Sequence, residues 1–195
     1  NAMPVDRIRP LGLQGLEAAI LIALTRELEN PKIIFTKRAE HLNSHRGEVA
    51  FPGGKWESGD EDLLITALRE TREEIDLDPN QVQIIAGLPV NRTRQLMRVK
   101  PYVGLIEAGL PLTANPEELD AVFEVPLSYF LDPVNLTVDY FVGPDYALNM
   151  PCFIYDDYRI WGFSLVVLTD FLNLTLDAGI RLEYPDCSDL RPVSR

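Results

Sequence analysis

Residues 51–77, FPGGKWESGDEDLLITALRETREEIDL, constrain the fold of this chain more than any other stretch. A Pro-Gly-Gly turn leads into a polar loop, and the loop leads into a helical pattern carrying Arg69, Glu70, Glu73 and Glu74. Asp60 reads as the N-cap, with Glu61 and Asp62 in the first turn, where the helix dipole favours negative charge. At about 100° per residue, Leu64, Leu68, Thr71 and Ile75 share one side, which predicts the core-facing stripe. Glu70, Glu73 and Glu74 share another. Their spacings of three and four hold Cβ atoms roughly 5–6 Å apart, so all three carboxylates can converge on one point.

Carboxylates crowded on one helical face repel each other and weaken the helix unless something offsets them. Arg69 can pair with Glu73 one turn on, but it cannot neutralise the other two. The counter-charge that suits oxygen ligands and keeps positions open for water and phosphate oxygens is a hard divalent cation, Mg²⁺ or Mn²⁺. A solvated acidic face is the plainer reading. It leaves the Gly-Gly turn and the Arg69-Glu70 pair without a role, and the metal site is favoured for that reason.

The stretch resembles the Nudix box, G-x5-E-x7-R-E-U-x-E-E-x-G-U with U aliphatic. Gly54 matches the first glycine, and Arg69, Glu70, Glu73, Glu74 and Leu77 match the second half. Asp60 stands where the pattern has glutamate, one extra residue separates it from Arg69, and Asp76 replaces the last glycine. Aspartate tolerates the left-handed backbone common at a helix end, so Asp76 is expected to cost a little stability and no chemistry. The extra residue is similar to one subgroup, the coenzyme A pyrophosphatases. Their upstream signature, LLT-x-R-[SA]-xxx-R-xxx-G-xxx-FPGG, is matched at Thr36, Arg38, Ala39, Gly47 and residues 51–54, with Asn43 in place of an arginine. Segments 121–127 and 160–168 also look like that subgroup.

The resemblance implies an α+β fold, the Nudix α/β/α sandwich, in which a mixed sheet has helices on both faces. It implies Glu70, Glu73 and Glu74 as metal ligands, with the backbone carbonyl of Gly54 as a further one. Glu70 doubles as the candidate base, and Arg69 orients Glu73. Arg38, Arg46, Arg92 and Arg94 are the expected substrate-binding residues, since arginine's fork suits phosphate. Arg92 and Arg94 belong to a basic set with Arg98 and Lys100 that an exposed hairpin tip would also produce. Glu117 and Glu118 read as a solvated loop, Glu57 and Asp60 as outer contacts, and His41 and His45 as structural.

A chain of 195 residues with 46% hydrophobic and 25% charged content suits one globular domain, expected over residues 18–176, with a tag remnant and lead-in before it and a tail over 177–195. No apolar run approaches the roughly 20 residues a membrane helix needs, no leader is visible, and Cys152 and Cys187 lack metal-ligand spacing and read as reduced. A cytoplasmic protein is expected. The net charge of −12 argues against nucleic acid as a partner. Strands are expected at 18–25 and 32–38 as a hairpin, then at 82–90, 97–107, 121–125, 136–142, 152–156 and 158–161. Short and final helices are expected at 126–130 and 165–174, the latter capped by Ser164.

The expected activity is metal-dependent hydrolysis of the diphosphate bond in coenzyme A or acyl-coenzyme A, giving 3′,5′-ADP and a 4′-phosphopantetheine compound. The alternatives are a Nudix pyrophosphatase acting on ADP-ribose, NADH or dinucleotides, and a non-catalytic nucleotide sensor. Each takes a small-molecule nucleotide as partner, and a homodimer stays open.

Overall fold

The computed structural model describes residues 5–13, 15–142 and 147–184. By their contacts they divide into two units, the first ending at Leu127 and the second starting at Ser128.

The first unit runs β1 (Glu17–Thr25), β2 (Lys32–Arg38), β3 (Val49–Ala50), β4 (Gly53–Lys55), α1 (Leu63–Ile75), β5 (Gln83–Gly87), β6 (Asn91–Arg92), β7 (Arg98–Ile106) and β8 (Leu119–Pro126). The nearly unbroken apolar sequence of β1 suits a strand covered on both faces, and all but one of its residues are buried. Its parallel partner is β7, in register from Glu17 opposite Arg98 to Thr25 opposite Ile106. The remaining pairings are antiparallel, so the sheet is mixed and the fold is α+β, as expected.

Strands β1 and β2 form the expected hairpin but meet in register only at Leu24 and Ile33. Beyond that pair their neighbours differ. β3 pairs with β2 at Thr36 and Lys37, while β4 pairs with β1 at Ala18, Ala19 and Ile20. The Pro-Gly-Gly turn is therefore held between two strands that have parted, with the Pro52 carbonyl accepting from the Leu21 N–H at 2.9 Å. Gly53 has φ +143°, and a Cβ there would sit 2.4 Å from the Ala19 carbonyl oxygen. Only glycine fits such a backbone and such an approach.

Helix α1 packs on β1, β4 and β7. Leu63, Leu64, Ala67 and Ile75 are buried in one cluster with Leu21, Ile34 and Tyr102, and Leu68 packs against it half-buried. Each such large side chain contributes about 1.5–3 kcal/mol by leaving water. The helix starts later than expected. Asp62, not Asp60, is its N-cap, accepting the Ile65 N–H at 3.0 Å, because the Asp60 carboxylate is occupied elsewhere. Asp76 closes the helix at φ 57°, ψ 29°, in the left-handed conformation expected of it.

The second unit takes in most of α2 (Leu127–Leu131), then β9 (Leu136–Val142), β10 (Ala147–Tyr155), β11 (Tyr158–Trp161) and α3 (Gly162–Leu176). The three strands form an antiparallel sheet, with Phe141, Met150 and Cys152 packed together and α3 against β10 and β11. Ser164 does not cap α3: the helix begins three residues earlier than expected, Trp161 is its N-cap without a side-chain bond, and Ser164 is buried. Past Asp177, Asn173 clamps the backbone of Ile180 through its own amide, at 2.8 and 2.9 Å. Cys187 lies outside the described residues. No helix among them is long and apolar enough to cross a membrane.

Candidate active site

Arg69 organises the entrance to α1. Its Nε and Nη2 donate to the two Asp60 carboxylate oxygens at 3.0 and 3.1 Å, Nη1 donates to Glu73 at 3.0 Å, and Nη2 also reaches the Lys55 carbonyl and Glu70, each at 3.1 Å. Asp60 is buried and takes further bonds from the Thr66 hydroxyl at 2.9 Å and the Glu57 N–H at 3.2 Å. Burial alone would raise its pKa, but bonds from Arg69, the Glu57 amide and Thr66 outweigh that and hold it below the usual carboxylate value. The Asp60 hydrogen bond in turn lifts the Arg69 guanidinium above its ordinary range. The loop between turn and helix is thereby tied to the helix face.

The glutamates fare differently. Glu74 is only 5% exposed, and its carboxylate accepts one bond, from the Gly53 N–H at 2.9 Å. Burial pushes its pKa up to about 8; the Gly53 bond opposes this, Glu70 and Glu118 add to it, and Arg38 opposes it. Glu70 is half-buried over Gly54, where a Cβ would come within 2.4 Å of its carboxyl carbon. Burial raises its pKa too, against the charge and hydrogen bond of Arg69, with Glu73 and Glu118 pushing in the same direction as burial. The two glycines of the turn thus serve two carboxylates. Gly53 supplies an N–H to Glu74, and Gly54 leaves room for Glu70.

Glu73 is exposed and turned toward Arg69. As the side chains stand, no three Asp, Glu, His or Cys residues among those described could hold one metal ion together. The donor types still suit a hard cation: three carboxylates beside a glycine turn, two of them raised in pKa by burial. An ion there would take the place of the proton that burial favours on Glu74.

Glu118 is the residue that sequence reasoning undervalued. Against the expectation of a solvated loop, it is half-buried and its charge acts on both Glu70 and Glu74. Its loop is fastened to the end of α1, with the Asn115 N–H on the Glu74 carbonyl at 2.8 Å and the Thr113 N–H on that of Ile75 at 3.0 Å. The Ala39 N–H holds the Glu118 carbonyl at 2.9 Å. Glu117 is exposed, its carbonyl meeting the His41 ring at 3.2 Å, and His45 pairs with Glu48 at 2.9 Å.

The basic set divides. Arg98 is bonded to the fully buried Glu17 at 2.7 Å, and Lys100 is 3% exposed, donating to the Leu88 carbonyl at 2.7 Å. Both serve the fold. Arg92 and Arg94 are exposed where β6 turns back on β7, and Arg46 and Asn43 are exposed in the loop after β2. Arg38, at the end of β2, is half-buried.

The model of the NUDIX domain matches residues 15–137. The chain is 37% identical over 174 residues to an uncharacterized Nudix hydrolase, NudL, of Enterobacter sp. (strain 638), covering 87% of this chain and 86% of that protein. A NudL of Salmonella paratyphi B is 35% identical over the same shares. Among solved structures, a MutT/nudix family protein from Enterococcus faecalis is similar with a TM-score of 0.50 at 15% identity, over 86% of this chain and 64% of the other; that likeness concerns the fold alone.

Proposed function

This chain is a Nudix hydrolase, and from that premise we propose that it cleaves the diphosphate bond of coenzyme A or its acyl derivatives, releasing 3′,5′-ADP and a 4′-phosphopantetheine compound. The family acts on small nucleotide-type substrates and generally uses divalent metal ions. One observation carries the reading: Glu70 lies over Gly54 and Glu74 accepts the Gly53 N–H, so two carboxyl groups meet at the glycine turn, with Arg69 bonded to Glu70 alone of the two. The coenzyme A assignment leans on the match of Thr36, Arg38, Ala39, Gly47 and the FPGG turn to the subgroup signature.

Glu70, Glu73 and Glu74, with the Gly54 carbonyl, would hold Mg²⁺ or Mn²⁺, which supplies neutralising charge and an acidified bound water. The chain's own groups do the rest. Water attacks one phosphorus, the bond from that phosphorus to the bridging oxygen breaks, and the electron pair leaves with the departing phosphate. Glu70, raised in pKa by burial, takes the water's proton. Arg69 keeps Glu70 and Glu73 oriented through its bonds to both.

Asn43 supports a second reading, because it stands in an exposed loop where the signature has arginine. ADP-ribose, NADH or a dinucleotide would then be the substrate. Incubation with coenzyme A and Mg²⁺, with those compounds in parallel, separates the readings by product. Coenzyme A left intact at high enzyme concentration removes the first, and binding of all of them without turnover points to a sensor.

A further inference from the structure

Residues 5–13 fall outside the expected domain of 18–176 and outside the stretch that the NUDIX model matches. Three groups at the start of α1 and on β7 nonetheless depend on them. Tyr102 is fully buried, and a buried phenol needs a hydrogen-bond partner. Its hydroxyl donates to the Asp6 carbonyl at 3.1 Å and takes a bond from the Ile8 backbone. The Leu63 N–H is the first of α1, and an N-cap side chain serves the second or third amide instead. The Ile8 carbonyl accepts it at 3.1 Å. Asp62, itself 7% exposed, gives one carboxylate oxygen to the Ile65 N–H and the other to the Arg7 Nε at 2.8 Å.

An exposed arginine on a carboxylate contributes little by itself, and any chain passing over the surface would make such a pair. That plainer reading does not cover Ile8. Its side chain packs half-buried against the cluster that holds Leu63, Leu64 and Tyr102, so this stretch is bedded through side chain and backbone together. The two ends of α1 are thus fastened by different parts of the chain. The C-terminal end is tied by the Thr113 and Asn115 amides, and the N-terminal end by residues 6–8. Glu73 lies 11 residues past the N-cap, about 16 Å along the axis, so a tilt of about 5° there carries it about 1.4 Å sideways. A misplacement of about 1 Å costs on the order of a hundredfold in rate.

We propose that residues 6–8 form a strap that sets the tilt of α1, with Arg7 and Tyr102 as positioning residues for Glu70, Glu73 and Glu74. The strap touches no substrate. It acts through Asp62 and Leu63 on where the three carboxylates point, and so on their hold on a divalent ion. The inference rests on the hydrolase reading above and adds to it the part of the chain that aims the helix.

Mn²⁺ alone is the probe, titrated by calorimetry into the full chain carrying Arg7→Gln, Tyr102→Phe or both. The double variant should bind Mn²⁺ about tenfold more weakly and lose about tenfold in kcat on the best nucleotide substrate, with KM within twofold. Each single variant should show about a third of that change. In metal-free protein, hydrogen exchange at the Leu63 amide of the double variant should quicken at least tenfold, while amides of α3 keep parental rates. Arg7→Lys keeps the ion pair and should restore all of these quantities to parental values. Should Tyr102→Phe fail to fold, Arg7→Gln against Arg7→Lys decides by the same measurements. Faster exchange at Leu63 with parental Mn²⁺ affinity and kcat makes the strap a brace of the fold only, and overturns the inference; parental exchange overturns it too. Either result leaves measured hydrolysis, and the enzyme reading with it, standing. A parent that hydrolyses no nucleotide removes the enzyme reading, while Mn²⁺ affinity that follows the strap upholds its hold on the helix.

Discussion

The two ends of the loop-helix segment handle charge in opposite ways. At the start, Asp60, Asp62 and Arg69 are all partnered: Asp60 by Arg69, Thr66 and an amide, and Asp62 by the Ile65 N–H and by Arg7 at 2.8 Å. One turn on, burial and the neighbouring charge of Glu118 raise the pKa of Glu70 and Glu74, and the Arg38 Nε has no hydrogen-bond partner. A buried cluster of like charge is unstable in isolation, and it persists only where surrounding structure holds it in place. The satisfied end is that structure. It lets the other end keep groups poised for a ligand instead of for one another.

The contrast is most exposed by neutralising a carboxylate of the α1 face proposed to hold metal. Glu74→Gln or Glu73→Gln should lower turnover on the order of a thousandfold, consistent with loss of a charge aimed at the reacting phosphate. Glu74→Gln should also melt no lower than the parent without metal above pH 8, where the buried carboxyl is ionised. Near-parental rates in both variants would mean the site lies elsewhere.

Cutting the satisfied end should act on stability first. Asp60→Ala removes two of the five bonds made by the half-buried Arg69 guanidinium, and should cost about 1–3 kcal/mol in a denaturant titration. A loss of less than 1 kcal/mol would show that the network is decorative.

Acidity offers a milder probe. Glu74 titrates at about 8 in the fold against an ordinary value of 4.5, so the native chain binds that proton more tightly than the unfolded chain. Its contribution is complete below pH 4.5 and is lost as pH climbs through 8, on the order of a few kcal/mol. Metal-free protein should therefore melt progressively lower across this window. Mg²⁺ should restore the difference and bind more tightly with rising pH, since it competes with a proton. A melting temperature that is flat with pH in EDTA would count against the buried carboxylate.

The smallest effect is expected at Asp76. Its φ of 57° favours glycine, so Asp76→Gly should add about 0.5–1 kcal/mol of stability and leave kcat unchanged. A change in rate there would tie the helix end to the chemistry in a way the geometry does not suggest.

Much of this was legible in the residues because it is local. The helical period placed Glu70, Glu73 and Glu74 on one side of α1, and the i to i+4 pairing of Arg69 with Glu73 is present at 3.0 Å. Strand β2 matches the expected boundaries, and the turn at Asp156-Asp157 joins β10 to β11, with Asp156 at φ 50°. The errors were of two kinds. Asp60 and Ser164 have the chemistry of N-caps, but a competing partner or an earlier start of the helix took that role from them. Lys100 and Arg98 read as surface cations because nothing near them in sequence announces burial. Their partners, Leu88 and Glu17, arrive through strand pairing.

What the sequence by itself determined is the list of groups and the helix face that gathers three of them, since backbone period and turn chemistry act over a few residues. Only the tertiary structure decided that β1 and β2 part to admit the glycine turn, that Glu70 rests on Gly54, and that the charges of Glu118 and Arg38 are felt at Glu74. Those contacts are set by sheet register and by loops fastened across dozens of residues, and spacing along the chain carries no signal of either.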